Sequence, residues 1–352
     1  MLSAIQAGDA LARLSDFDAI VDARSPSEYA LDHIPGAVNW PSLDDAERAL
    51  VGTEHKQVSA FAARKRGAAI VARNVAAHIE RHVLELPKDW SPLIYCWRGG
   101  QRSGALATVL GQIGFRVHLL DGGYREYRRA VVGALDTLAD QLNLRVVCGP
   151  TGSGKSRLLH ALRDRGAQVL DLEALANHRG SVLGLVPGSP QPSQKAFDSQ
   201  LWNTLRRFDP GRPVFVESES KKVGDLRVAE TLVARMRAAP CFWLELSLDR
   251  RVDLLMRDYD FFVKDTPAFC DRLDALRVLR GHETVNGWQE AAREGRSTEV
   301  VRDLLLAHYD PIYRQSMRRN FARIETPIAR LEWDGSDASL EAAARAALSV
   351  AH

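Results

Sequence analysis

The sequence predicts an α/β protein of two successive domains, each built on a parallel sheet. Its 352 residues exceed what a single hydrophobic core usually serves. Two separate series of short apolar runs, rich in β-branched residues, alternate with stretches of helical spacing. Hydrophobic residues make up 45% and charged residues 26% of the chain, as in a folded globular protein rather than a disordered or fibrous one.

The first series predicts a domain over residues 1–140. Its apolar runs are AIVDA at 19–23, PLIYC at 92–96 and RVHLL at 116–120. The stretches between them have the length and spacing of helices, which is typical of parallel strands joined by crossover helices. A helical stretch from Tyr124 leads directly into the next series, so we place the boundary near Asp140 without a flexible linker.

The second series predicts a domain over residues 141–352. Its apolar runs are LRVVC at 144–148, QVLDL at 168–172, PVFVE at 213–217 and CFWLELS at 241–247. From Asp249 onward the pattern is mostly helical, which predicts a helical C-terminal region. The polar stretch GHETVNGWQEAAREGRS at 281–297 is expected to be a mobile loop.

Composition limits the location and the partners of the protein. No apolar run approaches the roughly 20 residues that span a bilayer, and the N-terminus lacks the basic and apolar regions of a signal peptide. We therefore expect a cytoplasmic protein without membrane association. The net charge is only +2, so a polyanionic partner would need a local basic patch. The four cysteines form no C-x-x-C pair, which argues against a zinc cage or a disulfide framework.

Cys96 ends the PLIYC strand and opens the loop W-R-G-G-Q-R-S, which leads into a predicted helix. Gly99 and Gly100 allow backbone N–H groups to converge into an anion nest beside the sulfur. Arg98 and Arg102 add positive charge, and a helix N-terminus favours the thiolate, so Cys96 is a candidate nucleophile. The other three cysteines lie in apolar or helical runs and are expected in the core.

The C-x5-R spacing of this loop is shared by sulfur carriers of the rhodanese type and by cysteine-dependent phosphatases, and the loop alone leaves both open. Its context resembles the rhodanese family. VDARSPSEYALDHIPGAVNWP at 21–41 resembles the family signature, and LLDGGYREYRR at 119–129 resembles the closing strand and last helix. The resemblance implies that Cys96 carries a chalcogen as a persulfide or perselenide. Asp22 and His33 are expected only to brace the turn.

A complete phosphate loop, GPTGSGKS at 149–156, lies between a predicted strand and a predicted helix. The diphosphate-binding candidates are Gly149, Thr151, Gly152, Ser153, Gly154, Lys155 and Ser156. Backbone amides would wrap a diphosphate, Lys155 would neutralise its outer oxygens, and the Ser156 hydroxyl would ligate Mg²⁺ only if a metal is bound.

The metal partner of a nucleotide hydrolase is less evident. A later strand normally ends in Asp, whereas PVFVE ends in Glu217. Asp171 is either a second metal partner or a helix N-cap. Arg250, Arg251 and Arg257 follow the fourth strand on a helix, either as a kinase-like lid or as solvated charge.

A rhodanese-like domain fused to a P-loop domain resembles the tRNA 2-selenouridine synthase family. The segments HRGSVLG (178–184), QPSQKAFDSQLW (191–202), FVESESKKVG (215–224) and HYDPIY (308–313) resemble further blocks of that family. The resemblance implies that wobble 2-thiouridine of tRNAs for Lys, Glu and Gln is first geranylated from geranyl diphosphate. Selenium from selenophosphate then replaces the S-geranyl group, with Cys96 as the perselenide carrier.

The resemblance also implies partners, and the motifs themselves lead us to infer further site residues. No tightly bound cofactor is expected, Mg²⁺ is a possible accessory ion, and an enzyme that supplies selenophosphate is a possible partner. The phosphate loop would hold the prenyl diphosphate. The candidate residues around it are Glu217, Glu219, Lys221, His178 and Arg179. The candidate tRNA-binding residues, without an acidic neighbour in YRQSMRRNFAR, are Arg314, Arg318, Arg319 and Arg323.

Three alternatives remain at this point. The second domain could be an ATP-dependent kinase with an accessory rhodanese sulfurtransferase domain. The first domain could be a phosphatase, although Tyr95 stands where phosphatases usually have His before the cysteine. A non-enzymatic RNA-binding scaffold is the least favoured, because a scaffold needs neither a nucleophile loop nor a phosphate loop.

Overall fold

The computed structural model describes residues 2–98, 100–180, 184, 188–260 and 264–351. The chain divides into two compact units, Met1–Leu135 with Pro192–Asn203, and Asp136–Gln191 with Thr204–His352. The segment 192–203 therefore belongs to the first unit although it follows part of the second along the chain. The boundary near Asp140 between two successive domains remains a prediction from the sequence.

The first unit is built on a five-stranded parallel sheet in the order β1-β5-β4-β2-β3. Its strands are β1 (Leu2–Ile5), β2 (Ala19–Asp22), β3 (Val38–Asn39), β4 (Pro92–Tyr95) and β5 (Val117–Leu120). Its helices are α1 (Ala7–Ala12), a 3-10 turn (Leu14–Asp16), α2 (Pro26–Leu31), α3 (Asp45–Gln57), α4 (Ala60–His82), α5 (Gln101–Ile113), α6 (Gly123–Gln141) and α9 (Gln194–Leu205). The division between the units falls within α6 and near the end of α9.

The central strands of this sheet are nearly continuous apolar runs because their residues are buried on both faces. All four residues of β4 are buried, and its neighbour β2 buries three of four. Ser59 caps α4 with its hydroxyl, and Gly114 ends α5 at a φ of +119°, a backbone conformation that favours glycine. The loops that carry the motifs directly follow the carboxyl ends of β2 and β4.

The second unit has a five-stranded parallel sheet in the order β12-β11-β6-β8-β7 and a two-stranded antiparallel hairpin. Its strands are β6 (Asn143–Cys148), β7 (Gln168–Leu170), β8 (Pro213–Glu217), β9 (Lys222–Val223), β10 (Leu226–Arg227), β11 (Cys241–Glu245) and β12 (Ala329–Glu332). The helices that flank the sheet are α7 (Lys155–Asp164), α8 (Leu172–Ala176), α10 (Glu230–Ala238), α11 (Leu248–Asp258) and α17 (Asp337–Val350).

A helical region lies between β11 and β12. It contains α12 (Thr266–Asp274), α13 (Arg277–Arg280), α14 (His282–Arg293), α15 (Ser297–Asp303), a π-helix (Leu304–Tyr309) and α16 (Asp310–Asn320). The prediction of a mobile loop at 281–297 is wrong, because α14 covers most of it. Val285, Trp288 and Ala292 recur at helical spacing and pack into a core cluster with Phe269 and Leu273. The polar residues between them occupy the exposed face.

The α/β class, the parallel sheets and the helical C-terminal region are confirmed. Each apolar run that predicted a strand contains one, whereas β1, β3, β12 and the β9–β10 hairpin were not predicted. Cys148, Cys241 and Cys270 are buried, as expected. In the described part of the chain, no helix is long and apolar enough to cross a membrane.

Candidate functional site

Cys96 lies directly after β4 and before α5, whose N-cap is Gly100. Its side chain accepts a hydrogen bond from the Ser103 hydroxyl, with an Oγ–Sγ distance of 3.0 Å. Only 3% of Cys96 is exposed, and Ser103 is fully buried. The sulfur is therefore held in one position at the N-terminal end of a helix, where backbone N–H groups favour an anion.

The beginning of α6 frames the cysteine loop. The Tyr124 N–H donates to the Cys96 carbonyl at 2.8 Å, and the Arg125 N–H donates to the Trp97 carbonyl at 3.1 Å. The Trp97 and Tyr124 rings stack with their centroids 5.5 Å apart. The Tyr124 hydroxyl also donates to Asp32 at 2.7 Å. The LLDGGYREY segment thus fixes the loop through backbone and ring contacts.

The two arginines of the loop differ in their surroundings. Arg102 donates to Glu28 with an Nη1–Oε2 distance of 2.7 Å. Burial would raise the pKa of Glu28, but the hydrogen bond and charge of Arg102 outweigh it and lower that pKa. Arg98 is exposed. Gly99, part of the expected anion nest, lies outside the described residues.

The signature residues of the first unit form a buried support below the loop. Arg24 pairs with Asp22, with an Nη2–Oδ2 distance of 2.6 Å, and donates to the Asp32 carbonyl at 2.6 Å. Its guanidinium lies 3.8 Å from the centroid of the Tyr124 ring. His33 is hydrogen-bonded to the Tyr29 carbonyl at 2.9 Å. These contacts agree with the bracing role expected for Asp22 and His33.

The phosphate loop joins β6 to α7, as its motif requires. Gly152 and Gly154 have φ angles of +76° and +88°, which L side chains rarely adopt. A Cβ at Gly154 would overlap the Trp333 ring, whose Nε1 donates to the Ser153 carbonyl at 2.8 Å. Glycine is therefore needed at both positions for the loop to close against its neighbours.

Lys155 and Tyr313 meet at the base of this loop. The Lys155 ammonium donates to the Gly149 carbonyl at 2.8 Å and lies 5.4 Å from the centroid of the Tyr313 ring. The Tyr313 hydroxyl accepts the Gly149 N–H at 2.8 Å and lies 2.9 Å from the Ser218 hydroxyl. Burial is the largest influence on Tyr313 and raises the pKa of its phenol, which stays neutral.

Arg251 connects the phosphate loop to α16. Its Nε donates to the Thr151 carbonyl at 2.9 Å, and its two terminal nitrogens donate to Asp310 at 2.9 and 2.6 Å. The side chain is buried, so solvated charge does not describe it. Arg250 and Arg257 on the same helix are exposed, as expected of solvated charge.

Three carboxylates gather beside Ser156. The Ser156 hydroxyl donates to Glu173 at 2.9 Å, and Glu217 accepts the Glu173 N–H at 2.8 Å. Burial and then the neighbouring carboxylates raise the pKa of Glu217 well above its usual value. Burial and then the charge of Glu173 raise the pKa of Glu219 to about 7. Asp171 accepts the Ala174 N–H at 2.9 Å and is therefore a helix N-cap.

The remaining candidate residues around the phosphate loop differ in their exposure to solvent. His178 is buried, and its Nδ1 accepts the Gly180 N–H at 3.0 Å. Arg179 donates to the Asp258 carbonyl and lies with its guanidinium 4.7 Å from the centroid of the Tyr259 ring. Lys221 is exposed, next to the β9–β10 hairpin.

A cavity of about 820 Å³ in the second unit brings most of these residues together. The predicted site residues on its wall are Thr151, Gly152, Gly154, Lys155, Ser156, His178, Arg179 and Glu219. Four others are not on the described wall: Gly149, Ser153, Glu217 and Lys221. The backbone of Gly149 and Ser153 holds the phosphate loop in place through hydrogen bonds to Tyr313 and Trp333. Glu217 positions Glu173 by accepting its backbone N–H.

The four arginines predicted to bind tRNA are exposed on α16 and in the turn that follows it: Arg314, Arg318, Arg319 and Arg323. Arg318 pairs with Glu325 at an Nε–Oε1 distance of 3.1 Å, and both side chains are more than two-thirds exposed. Such an exposed pair contributes little to stability and leaves the guanidinium near solvent.

Comparison with known proteins identifies the family. A family model described as "Rhodanese-like domain" matches residues 6–130, and one described as "tRNA 2-selenouridine synthase AAA domain" matches residues 142–276. A tRNA 2-selenouridine synthase of Bdellovibrio bacteriovorus is 36% identical over 350 residues, covering 87% of this chain and 90% of that protein. The chain belongs to the tRNA 2-selenouridine synthase family.

Other similar proteins include a tRNA 2-selenouridine synthase of Nitrosomonas europaea, 37% identical over 244 residues. That match covers 68% of this chain and 63% of the relative, so the chain spans less than two-thirds of that member of the tRNA 2-selenouridine synthase family. A rhodanese-like domain protein from Staphylococcus aureus, of known crystal structure, is 19% identical, covers 36% of this chain and 90% of that chain, and has a TM-score of 0.23.

Sequence reasoning missed four residues of this member of the tRNA 2-selenouridine synthase family. In the sequence, Arg251 is distinguished only as one of three helix charges, and Tyr313 only as the end of the HYDPIY block. Trp333 lies 180 residues from Ser153, whose carbonyl it contacts, and Glu173 lies 17 residues from Ser156 on a different helix, so neither belongs to the motif itself. A pattern centred on the phosphate loop cannot find partners that reach it from other elements.

Proposed function

We propose that the protein is a cytosolic tRNA-modifying transferase that converts wobble 2-thiouridine to 2-selenouridine through an S-geranyl intermediate. One observation carries the proposal: a single chain of this family contains both a positioned cysteine at a helix N-terminus and a complete phosphate loop on a cavity wall. The first suits a chalcogen carrier, and the second suits a donor with a diphosphate group.

In the first step, the phosphate loop holds the diphosphate of geranyl diphosphate. The sulfur of 2-thiouridine attacks the first carbon of the geranyl chain, the carbon–oxygen bond to the diphosphate breaks, and the proton on N3 of the base is released. Lys155 would turn from the Gly149 carbonyl to the diphosphate and stabilise the leaving charge. Alkylation converts the sulfur into a neutral thiol leaving group.

In the second step, water cleaves the selenium–phosphorus bond of selenophosphate and releases phosphate, and the selenide attacks Sγ of Cys96 held as a mixed disulfide with an external thiol. That thiol leaves, and Cys96 carries the selenium as a perselenide. The terminal selenium attacks C2 of the base and displaces geranyl thiol, and the external thiol then attacks Sγ, which restores the mixed disulfide and releases 2-selenouridine. Cys96 itself is almost fully buried. A selenium atom bound to its sulfur would extend the side chain by one atom. Ser103 keeps that sulfur in place.

Mg²⁺ is part of the proposal as an accessory ion. The Ser156 hydroxyl and the Glu173 carboxylate lie 2.9 Å apart beside the phosphate loop. Mg²⁺ commonly takes one or two protein oxygens together with substrate phosphates, and these two groups fit that requirement. The ion would neutralise diphosphate charge. Among the described residues, no group of three or more His, Cys, Asp or Glu side chains could hold a metal by itself.

We propose tRNAs for Lys, Glu and Gln with wobble 2-thiouridine as the substrates, and an enzyme that supplies selenophosphate as a partner. The exposed arginines of α16 support an RNA surface, because cations near phosphates release counterions on binding. The kinase alternative has weaker support. Glu217, at the strand end where a hydrolase places its metal-binding Asp, is buried and already accepts the Glu173 N–H.

The proposal is tested by nucleoside mass spectrometry on 2-thiouridine tRNA incubated with the pure protein, a thiol, geranyl diphosphate and selenophosphate. Each donor is omitted in turn, and EDTA is added in a parallel series. We expect S-geranyl-2-thiouridine without selenophosphate and 2-selenouridine with both donors. An unchanged nucleoside in every reaction would contradict the proposal, and ATP turnover by the same sample would favour the kinase.

A further inference from the structure

One face of α16 and of the π-helix before it forms a wall of the cavity. Its apolar and aromatic residues recur at intervals of three and four, namely Tyr309, Ile312, Tyr313 and Met317, with Phe321 directly after the end of α16, and the polar His308, Ser316 and Asn320 lie among them. That spacing places them on a single helical face. Most of the face is apolar or aromatic, in contrast to the charged phosphate loop at the other part of the same cavity.

Other parts of the cavity wall are also apolar. Leu254 and Leu255 of α11 and Leu279 of α13 line the cavity. Leu279 and Ile312 are 59% and 46% exposed, although both lie in a concave site. Large apolar side chains left open to solvent inside a cavity are typical of a ligand site rather than of a core.

Two contacts tie the apolar face to the phosphate loop. Asp310 pairs with Arg251, which donates to the Thr151 carbonyl, and the Tyr313 hydroxyl accepts the Gly149 N–H. Asp310 and Tyr313 are three residues apart on α16, so one helical turn is fixed to the loop at two points. The apolar face therefore begins beside the phosphate loop and leads away from it.

We propose that this apolar face binds the hydrocarbon chain of the prenyl diphosphate and limits the chain length that is accepted. The inference rests on the proposed function, because it takes the phosphate loop as the diphosphate site. A cavity of about 820 Å³ is within the range of small-molecule sites, about 300–1,000 Å³. An amphiphile with an anionic head and an aliphatic tail matches the charged loop and the apolar walls together.

The first test measures how affinity depends on the tail. Isothermal calorimetry on the full chain would compare inorganic diphosphate with dimethylallyl, geranyl and farnesyl diphosphates. Each buried methylene favours binding by about fourfold at most. We expect geranyl diphosphate to bind at least about tenfold more tightly than dimethylallyl diphosphate, because its second isoprene unit reaches the apolar face.

The second test uses matched variants of exposed apolar residues. Ile312→Ser and Leu279→Ser alter the cavity wall, whereas Leu306→Ser and Val278→Ser alter side chains that are 52% and 95% exposed and are not on the described wall. We expect the first pair to weaken geranyl diphosphate binding by about tenfold and to leave inorganic diphosphate binding unchanged. The second pair should change neither.

The outcomes separate this inference from the proposed function. Equal affinity of the parent protein for inorganic and geranyl diphosphates, or equal effects of the wall and control variants, would overturn the tail site alone. Unchanged binding of inorganic diphosphate by Lys155→Ala would instead remove the phosphate loop from the proposed function. Tighter binding of ADP than of geranyl diphosphate would overturn both.

Discussion

Ser199 donates a hydrogen bond to Asp32 at 3.1 Å, although 167 residues separate them along the chain. Both side chains are almost fully buried within the first unit. Asp32 also accepts the Tyr124 hydroxyl, and Tyr124 in turn holds the Cys96 carbonyl through its N–H. The returning helix α9 thus takes part in the hydrogen-bond network that supports the cysteine loop.

Ser199→Ala should lower the stability of the first unit by about 1 to 2 kcal/mol, because a buried carboxylate loses one of its donors. The exposed Ser349→Ala is the control and should change the stability by less than about 0.5 kcal/mol. Denaturant unfolding followed by Trp fluorescence measures both. Equal midpoints for Ser199→Ala and the parent protein would show that this bond does not support the unit.

Cys96→Ser should abolish selenium transfer and leave S-geranyl tRNA accumulating. Only the second step needs a chalcogen carrier, and a serine hydroxyl cannot form a perselenide. Nucleoside mass spectrometry measures both products. Cys270→Ser, which changes a core cysteine of the second unit, controls for a general effect of the substitution. Loss of both products in Cys96→Ser, with the fold intact, would contradict the division into two steps.

Lys155→Ala should weaken the binding of inorganic diphosphate and of geranyl diphosphate alike, by about tenfold or more, since it removes a charge-assisted hydrogen bond. Lys222→Ala, which changes an exposed lysine of β9, is the matched control and should bind both ligands like the parent. Calorimetry measures both affinities. A lysine that contributes only to folding would lower the melting temperature without this loss.

Glu219 should make stability depend on pH. Burial and the charge of Glu173 raise its pKa from 4.5 to about 7. Its contribution is therefore complete below pH 4.5 and is lost as the pH rises through about 7. Above that pH, Glu219→Gln should be more stable than the parent by about 1 to 2 kcal/mol. Melting temperatures from pH 5 to about 8.5 would test this, with the exposed Glu290→Gln as a control that leaves the curve unchanged.

Arg318→Glu combined with Arg319→Glu should weaken tRNA binding and flatten its dependence on salt, because fewer counterions are released. The logarithm of the affinity should fall less steeply with the logarithm of the salt concentration, by up to about two in slope. Arg293→Glu, an exposed charge on α14, is the control. A slope identical to that of the parent would assign the two arginines to the solvated face of α16.

The sequence was most informative where a motif is local. Cys96 follows its strand and precedes its helix as the alternation of apolar and helical stretches predicts, and the phosphate loop lies between β6 and α7. Both motifs depend on neighbouring residues, so spacing alone specifies them. The same reasoning predicted helix α16 and its exposed arginines.

The sequence was least informative where a contact is distant. Arg251 and Tyr313 lie about 100 and 160 residues from the loop atoms that they bind, and no periodicity relates such positions. Helix α14 was not predicted because Val285 and Trp288 are surrounded in the sequence by polar residues. Only the buried side of the helix follows the helical repeat. The apolar cavity wall also could not be predicted from the sequence, since its residues come from four separate elements.

The return of residues 192–203 to the first unit has a practical consequence for dissecting the protein. A fragment cut near residue 140 would contain every rhodanese signature residue yet lack Ser199 and Trp202, which contact Asp32 and Tyr127. In such a fragment, the buried carboxylate of Asp32 and the ring of Tyr127 would be exposed to water. A fusion that joins residues 1–135 to a linked copy of 192–203 is the smaller unit that preserves these contacts.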